Sequence, residues 1–280
     1  MMGDVDTGLF LGRIPYIKAG SGSRTAVIFF GGNALFKPLD RSDASRYAAM
    51  FSRLLPTDYP FYILGYEENP PETYSLDTIV DDLDRIVRTE IGRSTVIGVS
   101  FGAFVAMRFA AAQPELVDKL VILVGAHRFS AQGARKIAKQ IAYLKVRDLY
   151  GLVRDNAVLF RRPWYNWLVR LKLGRDKDKL ASEFNDPASI AWAYEGLFGA
   201  DFERNGAHAD RIRAQTLIIG GNADQYFEVD AFEETAGRIP AARLELFDGE
   251  PHMLPFERRR DVARILAEFL TTNDAARFEV

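Results

Sequence analysis

Cysteine is absent from this chain of 280 residues, so no disulfide, thiolate metal site or cysteine nucleophile is open to it, and the composition fits a reducing compartment. Histidine is scarce, at three residues, and no cluster of histidine with aspartate suggests a metal. There is no excess of positive charge either. The formal net charge of −2 supplies no basic field to recruit nucleic acid. The first residues carry no basic region followed by an apolar run, and no window approaches the length of a membrane span, so a soluble, cytoplasmic protein without stable membrane insertion is expected. Internal repeats and low-complexity segments are also lacking. What is there suffices for one large core: 48% of residues are hydrophobic, enough for an α/β domain with or without an insertion.

The chain is organised around residues 94–113. Residues 94–99 are short, apolar and β-branched, which fits a strand buried on both faces of a parallel sheet. From Phe101 to Ala112 the composition turns to Ala, Met, Arg and Phe with apolar residues at helical spacing. Between them stands Gly98-Val99-Ser100-Phe101-Gly102, a G-x-S-x-G pentapeptide. A serine on a sharp strand-to-helix turn is strained, and glycines two positions either side remove the collisions that side chains would make there. The turn also sets Ser100 at the positive end of the following helix, where a developing oxyanion is favoured.

The rest of the chain supplies a frame. Residues 9–18 read as one or two edge strands, since Pro15 is tolerated there, and residues 24–30 as an apolar strand running into Gly31-Gly32-Asn33-Ala34. A helix over 40–55 and a strand over 61–65 come next. The helix over 75–90 is capped by Ser75, with Leu76, Ile79, Leu83, Ile86 and Val87 on one stripe and Asp81, Asp82 and Asp84 outward. A strand over 119–124 continues the alternation, which argues for a mostly parallel sheet. Residues 127–213 break it: the pattern is helical, lacks a clear strand and is too long for a structureless loop. Strands over 215–220 and 243–247, with helices over 227–238 and 257–270, close the chain.

The interrupting segment is also basic. Residues 127–185 hold fourteen Lys or Arg against five Asp or Glu, a balance of +9 that leaves −11 for the remainder. Trp164, Trp167, Leu168 and Leu171 share a helical face among arginines. Those aromatics read either as a wall above a substrate or as packing against the core. The charges read either as a site for an anionic head group or acidic membrane surface, or as a solvated face.

On these residues the chain resembles the α/β-hydrolase fold over nearly its whole length. The resemblance implies an α/β class with a mostly parallel central sheet and helices on both faces. The core would comprise residues 1–126 and 214–280, with an inserted helical cap at 127–213. Gly31-Gly32-Asn33 takes the place of the family's His-Gly-x, so the N–H of Asn33, or of Ala34, would form half of an oxyanion hole and that of Phe101 the other half. Asp224 matches the acid of a triad whose nucleophile is Ser100, and His252 matches the base, the one histidine beyond Asp224. His127 and His208 are expected in structural roles. Glu250-Pro251 departs from the family pattern, with Glu250 either exposed or near enough to raise the pKa of His252. Gly32, Ala34 and Met253, with Trp164 and Trp167 from the cap, are the expected substrate contacts.

The implied activity is hydrolysis of a small or medium acyl ester, or a lactone, through an acyl-enzyme on Ser100, with no metal or organic cofactor. An acyltransferase or thioesterase would use the same acyl-enzyme. Carbon–carbon bond hydrolases share the fold, and a non-catalytic binding protein would be expected to carry a damaged triad. The expected partner is a small-molecule acyl substrate, with no nucleic acid and with peripheral membrane contact by the basic cap.

Overall fold

Runs of Val, Ile, Leu and Phe form one eight-stranded sheet in the computed structural model, which describes residues 5–39, 41–156, 159–198 and 208–272. The strands are β1 (Asp6–Phe10), β2 (Ile14–Ala19), β3 (Ala26–Phe29), β4 (Phe61–Leu64), β5 (Ser94–Val99), β6 (Val117–Leu123), β7 (Gln215–Gly221) and β8 (Arg243–Phe247), in the order β1-β2-β4-β3-β5-β6-β7-β8. β1 and β2 pair antiparallel with their neighbours and the rest pair parallel. Every residue of β3 and β5 is buried, Ser94 and Thr95 included, as is usual of central parallel strands.

Register aligns the strand ends. Phe29 lies opposite Gly98, Val99 opposite Leu123, Leu123 opposite Ile219, and Gly221 opposite Phe247. The loops after β3, β5, β6, β7 and β8 therefore leave the sheet along one edge, the place where open α/β sheets bind ligands.

The helices are α1 (Asn33–Phe36), α2 (Arg41–Phe51), α3 (Leu76–Ile86), α4 (Gly102–Ala112), α5 (Ala131–Lys145), α6 (Leu149–Asn156), α7 (Pro163–Asp176), α8 (Leu180–Glu183), α9 (Pro187–Phe198), α10 (Val229–Arg238), α11 (Leu254–Glu257) and α12 (Arg259–Thr271). Ser75 caps α3 by accepting from the Thr78 N–H, and the stripe from Leu76 to Val87 is buried as its spacing predicts. Asp82 departs from expectation. It is buried rather than outward, because Arg13 from the β1–β2 turn reaches its carboxylate at 2.6 Å. Among the described residues the segment between β6 and β7 holds helices and no strand. Asp40, the expected start of α2, and residues 199–207 of that segment lie outside the described residues.

Candidate active site

Ser100 sits where β5 turns into α4, at φ +55°, a left-handed conformation that costs a non-glycine residue roughly 1–2 kcal/mol. Its N–H donates to the Leu123 carbonyl at 2.8 Å, which ties the strained residue to β6. The two glycines are required for a reason slightly different from the expected one. A Cβ at Gly98 would lie 2.6 Å from the Ala103 Cα, and one at Gly102 would lie 2.1 Å from the Phe29 carbonyl oxygen. They let α4 approach β5 and β3 rather than making room around the serine itself.

The half-buried Ser100 meets His252, from the loop after β8: its Oγ lies 2.8 Å from Nε2. Asp224, from the loop after β7, lies 2.8 Å from Nδ1 through its Oδ2. The other oxygen of Asp224 accepts from the N–H groups of Tyr226 (2.8 Å) and Phe227 (3.1 Å), so the carboxylate is buried yet fully bonded. A carboxylate accepting at Nδ1 selects the tautomer whose Nε2 lone pair accepts the Ser100 hydroxyl proton. The imidazole is held from further sides. Its backbone N–H donates to Gln225 Oε1 (3.1 Å), and the Tyr226 and Phe227 rings lie 4.9 and 6.0 Å away.

Around the serine, the N–H groups of Ala34 and Leu35 donate to the Gly31 and Gly32 carbonyls at 3.0 Å, and the loop after β3 winds directly into α1. Ala34 is thereby committed within its own turn, which leaves Asn33 as the better donor of the two. Ala103 and Phe104 likewise spend their N–H groups on the Ser100 and Phe101 carbonyls, and that of Phe101 takes no part in the turn's bonding. Tyr66 supports both halves: its hydroxyl donates to the Phe30 carbonyl at 2.8 Å and its ring lies 5.6 Å from that of Phe101. Burial pushes the Tyr66 hydroxyl well above the usual phenol range, so it stays a donor.

Glu250 is neither exposed nor bonded to the imidazole. It is fully buried, and its Oε1 accepts from Arg161 (2.8 Å) and Arg258 (3.0 Å), while Oε2 has no partner. Arg161 also donates its backbone N–H to Glu257 (2.9 Å), and the Met253 N–H donates to the Leu159 carbonyl (3.3 Å). The strand of chain before α7 is thus strapped to the loop that carries His252.

A cavity of about 610 Å³ opens over Ser100 and His252. Gly32 and Met253 line it, as expected; Ala34 is buried behind the lining. Trp164 and Trp167 do not line it. They are 56% and 61% exposed, so neither expected role, substrate wall or core packing, describes them. The aromatic wall comes instead from Phe30, Phe129, Phe160, Phe184, Tyr194 and Phe198, spread over five separate stretches with no common period, which is why sequence spacing did not reveal them. A polar spot is made by Gln140, Asn156 and the Tyr226 hydroxyl, with Gln140 Nε2 donating to Asn156 (2.9 Å) and to Tyr226 (2.8 Å). Charge enters the lining at Lys37, Asp43 and Arg46, where Asp43 accepts from both cations.

The other histidines stand apart from the cavity. His127 is buried beneath α10 with Nδ1 2.8 Å from Thr235 Oγ1, and its pKa is lowered to about 4, chiefly by burial. His208 is half-buried, and burial lowers its pKa as well. Among the described residues no group of His, Asp and Glu is arranged to hold a metal ion.

Comparison with known proteins adds relatives to this geometry. A family model described as alpha/beta hydrolase fold matches residues 57–259. A 2-hydroxy-6-oxononadienedioate/2-hydroxy-6-oxononatrienedioate hydrolase of a Pseudomonas species is 26% identical over 277 residues, covering 95% of each chain. Among solved structures, the enol-lactonase of Burkholderia xenovorans LB400 is similar at a TM-score of 0.73 and 17% identity, over 95% of this chain and 100% of that one. The esterase of Exiguobacterium antarcticum is similar at 0.72 and 19%, over 97% and 100%.

Proposed function

Because the chain belongs to the alpha/beta hydrolase fold family, we propose that it is a serine hydrolase of carboxylic esters, small or medium acyl esters or lactones, working through an acyl-enzyme on Ser100. The observation that carries the reading is the relay Asp224–His252–Ser100, with 2.8 Å at each link, ending on a nucleophile held in a strained turn. A serine hydroxyl is too weak an acid to attack a carbonyl unaided. His252 takes its proton as Oγ bonds to the acyl carbon, and Asp224 stabilises the imidazolium. The N–H groups of Phe101 and Asn33 hold the oxyanion, and the positive end of α4 favours the charge. As the oxyanion collapses, His252 passes its proton to the departing alcohol. Water then enters, gives a proton to the same histidine and releases the acid, so one ester and one water yield one acid and one alcohol. Residues 127–213 serve as a cap that supplies the far wall of the cavity, whose size suits a ligand of tens of atoms and whose aromatic lining suits an apolar acyl chain.

A second reading, hydrolysis of a carbon–carbon bond in a 2-hydroxy-6-oxo dienoate, is favoured by the name of the Pseudomonas relative, which matches over 95% of each chain. One experiment separates the two: turnover of p-nitrophenyl esters of graded chain length, beside a 2-hydroxy-6-oxo dienoate, by the protein and by its Ser100→Ala variant. Ester turnover that falls by several orders of magnitude in the variant is the expected result. Dienoate cleavage with no ester turnover would replace the first reading with the second, and ester turnover that survives the substitution would refute both.

A further inference from the structure

Helix α7 exposes what other helices of this protein hide. None of its side chains is buried. Trp164, Trp167, Leu168 and Leu171 recur at intervals of three and four and so form one stripe; they are 56%, 61%, 43% and 47% exposed. A 14-residue helix is marginal in water by itself, and a contiguous apolar stripe of this kind marks a surface that something covers.

Charge identifies the cover. Arg162, Arg170, Lys172, Arg175 and Lys177 on and beside α7 are exposed, and none has an acidic partner among the described residues. Elsewhere several arginines are paired, as Arg128, Arg147, Arg243 and Arg258 are. From Arg161 to Arg175 there is no acidic residue at all. A second copy of the chain docking by the same stripe would bring two such unpaired cationic sets together, which like-charge repulsion opposes.

We propose that α7 docks this protein on an anionic lipid surface. Indole rings and leucines enter the boundary between headgroups and acyl chains, while the flanking Arg and Lys stems lie along it and set their charges on lipid phosphates or carboxylates. The helix lies on the surface rather than crossing it: among the described residues no helix is long and apolar enough to span a membrane. Leu159 and Phe160, which line the cavity, directly precede α7, and Arg161 is clamped to Glu250, so the docked helix sets the cavity beside the interface. The proposal is independent of the chemistry at Ser100.

The test is co-sedimentation of the full chain with vesicles of phosphatidylcholine alone and of phosphatidylcholine with phosphatidylglycerol in about equal parts, at low and raised NaCl. Partitioning should be at least ~10-fold stronger on the anionic vesicles and weaken with salt. The double change Arg170→Glu with Lys172→Glu should lower it by at least ~10-fold, Leu168→Ser with Leu171→Ser should lower it too, and Ser100→Ala should leave it unchanged. Circular dichroism checks that each variant folds. If one does not, the wild-type lipid and salt comparison still decides. No sedimentation at low salt, or equal sedimentation with both vesicles, would overturn the proposal. So would a lipid-free dimer in sedimentation velocity that the leucine substitutions dissolve, since the face would then belong to a second copy.

Discussion

α9 and α7 leave the same inserted segment and are both rich in apolar residues, yet one is a wall of the cavity and the other lies bare. α9 reads Pro-Ala-Ser-Ile-Ala-Trp-Ala-Tyr-Glu-Gly-Leu-Phe, with a single charge, and buries Ile190, Ala191, Ala193, Tyr194 and Leu197. Its small residues permit close approach: a Cβ at Gly196 would lie 2.6 Å from the Tyr74 carbonyl oxygen. Tyr194 packs its ring 5.5 Å from Phe36 and 4.8 Å from Phe198. α7 carries larger apolar groups and three cations, and none of the described residues buries them. Large apolar side chains show that a helix wants cover; alanines and glycines at the contact show that it has found it.

The strongest way to break this contrast is Tyr194→Ala. Truncating that buried ring should cost about 3–5 kcal/mol, read as a lowered midpoint in urea or guanidinium unfolding. A loss below 1 kcal/mol would mean that α9 is no better anchored than α7. Acid sharpens the contrast at the segment's root, where His127 is as buried as α9. Its folded pKa of about 4 lies below the 6.5 of an unfolded histidine. Above pH 6.5 both states are neutral and nothing is lost. As pH falls further, the unfolded chain takes up a proton that the folded one refuses, which costs stability on the order of 2 kcal/mol by pH 5. His127→Gln should shrink the difference in unfolding free energy between pH 7 and pH 5 by that amount. The neighbouring Glu234, held at about 2 chiefly by Arg128, loses its own contribution only as pH falls below its ordinary 4.5, so the window above pH 5 isolates the histidine. The smallest effect belongs to α7: Trp167→Ala should move stability by no more than about 0.5 kcal/mol. A cost near that of Tyr194→Ala would show α7 to be covered in solution after all.

The frame was legible in the sequence because its signals are local. β8 spans the five residues expected, and Ser75 caps α3 as its position suggests. The grouping of Ser100, Asp224 and His252 was legible because each follows a strand, the first two a buried one, and aligned strand ends bring them together. What failed did so where a partner far along the chain decides. Asp82 is drawn inward by Arg13, and Glu250 by Arg161 and Arg258. The stripe on α7 was read correctly as a face and wrongly as a covered one, since periodicity tells which residues point together and not what they meet.

The pairing of β6 with β7 has a consequence for how the molecule is made. Lys119 and Gln215 are neighbours in the sheet, so the whole helical segment must be synthesised before β6 finds its next strand. The residues that form the turn at Ser100 and its bond to β6 are made before then, when the far edge of β6 has as yet no strand to pair with. Asp224 and His252 come last, after β7, which covers that edge, and β8, which pairs with β7. Ser100, His252 and Asp224 therefore cannot meet until β7 and β8 have joined the sheet, after the helical segment that helps line the cavity has been made.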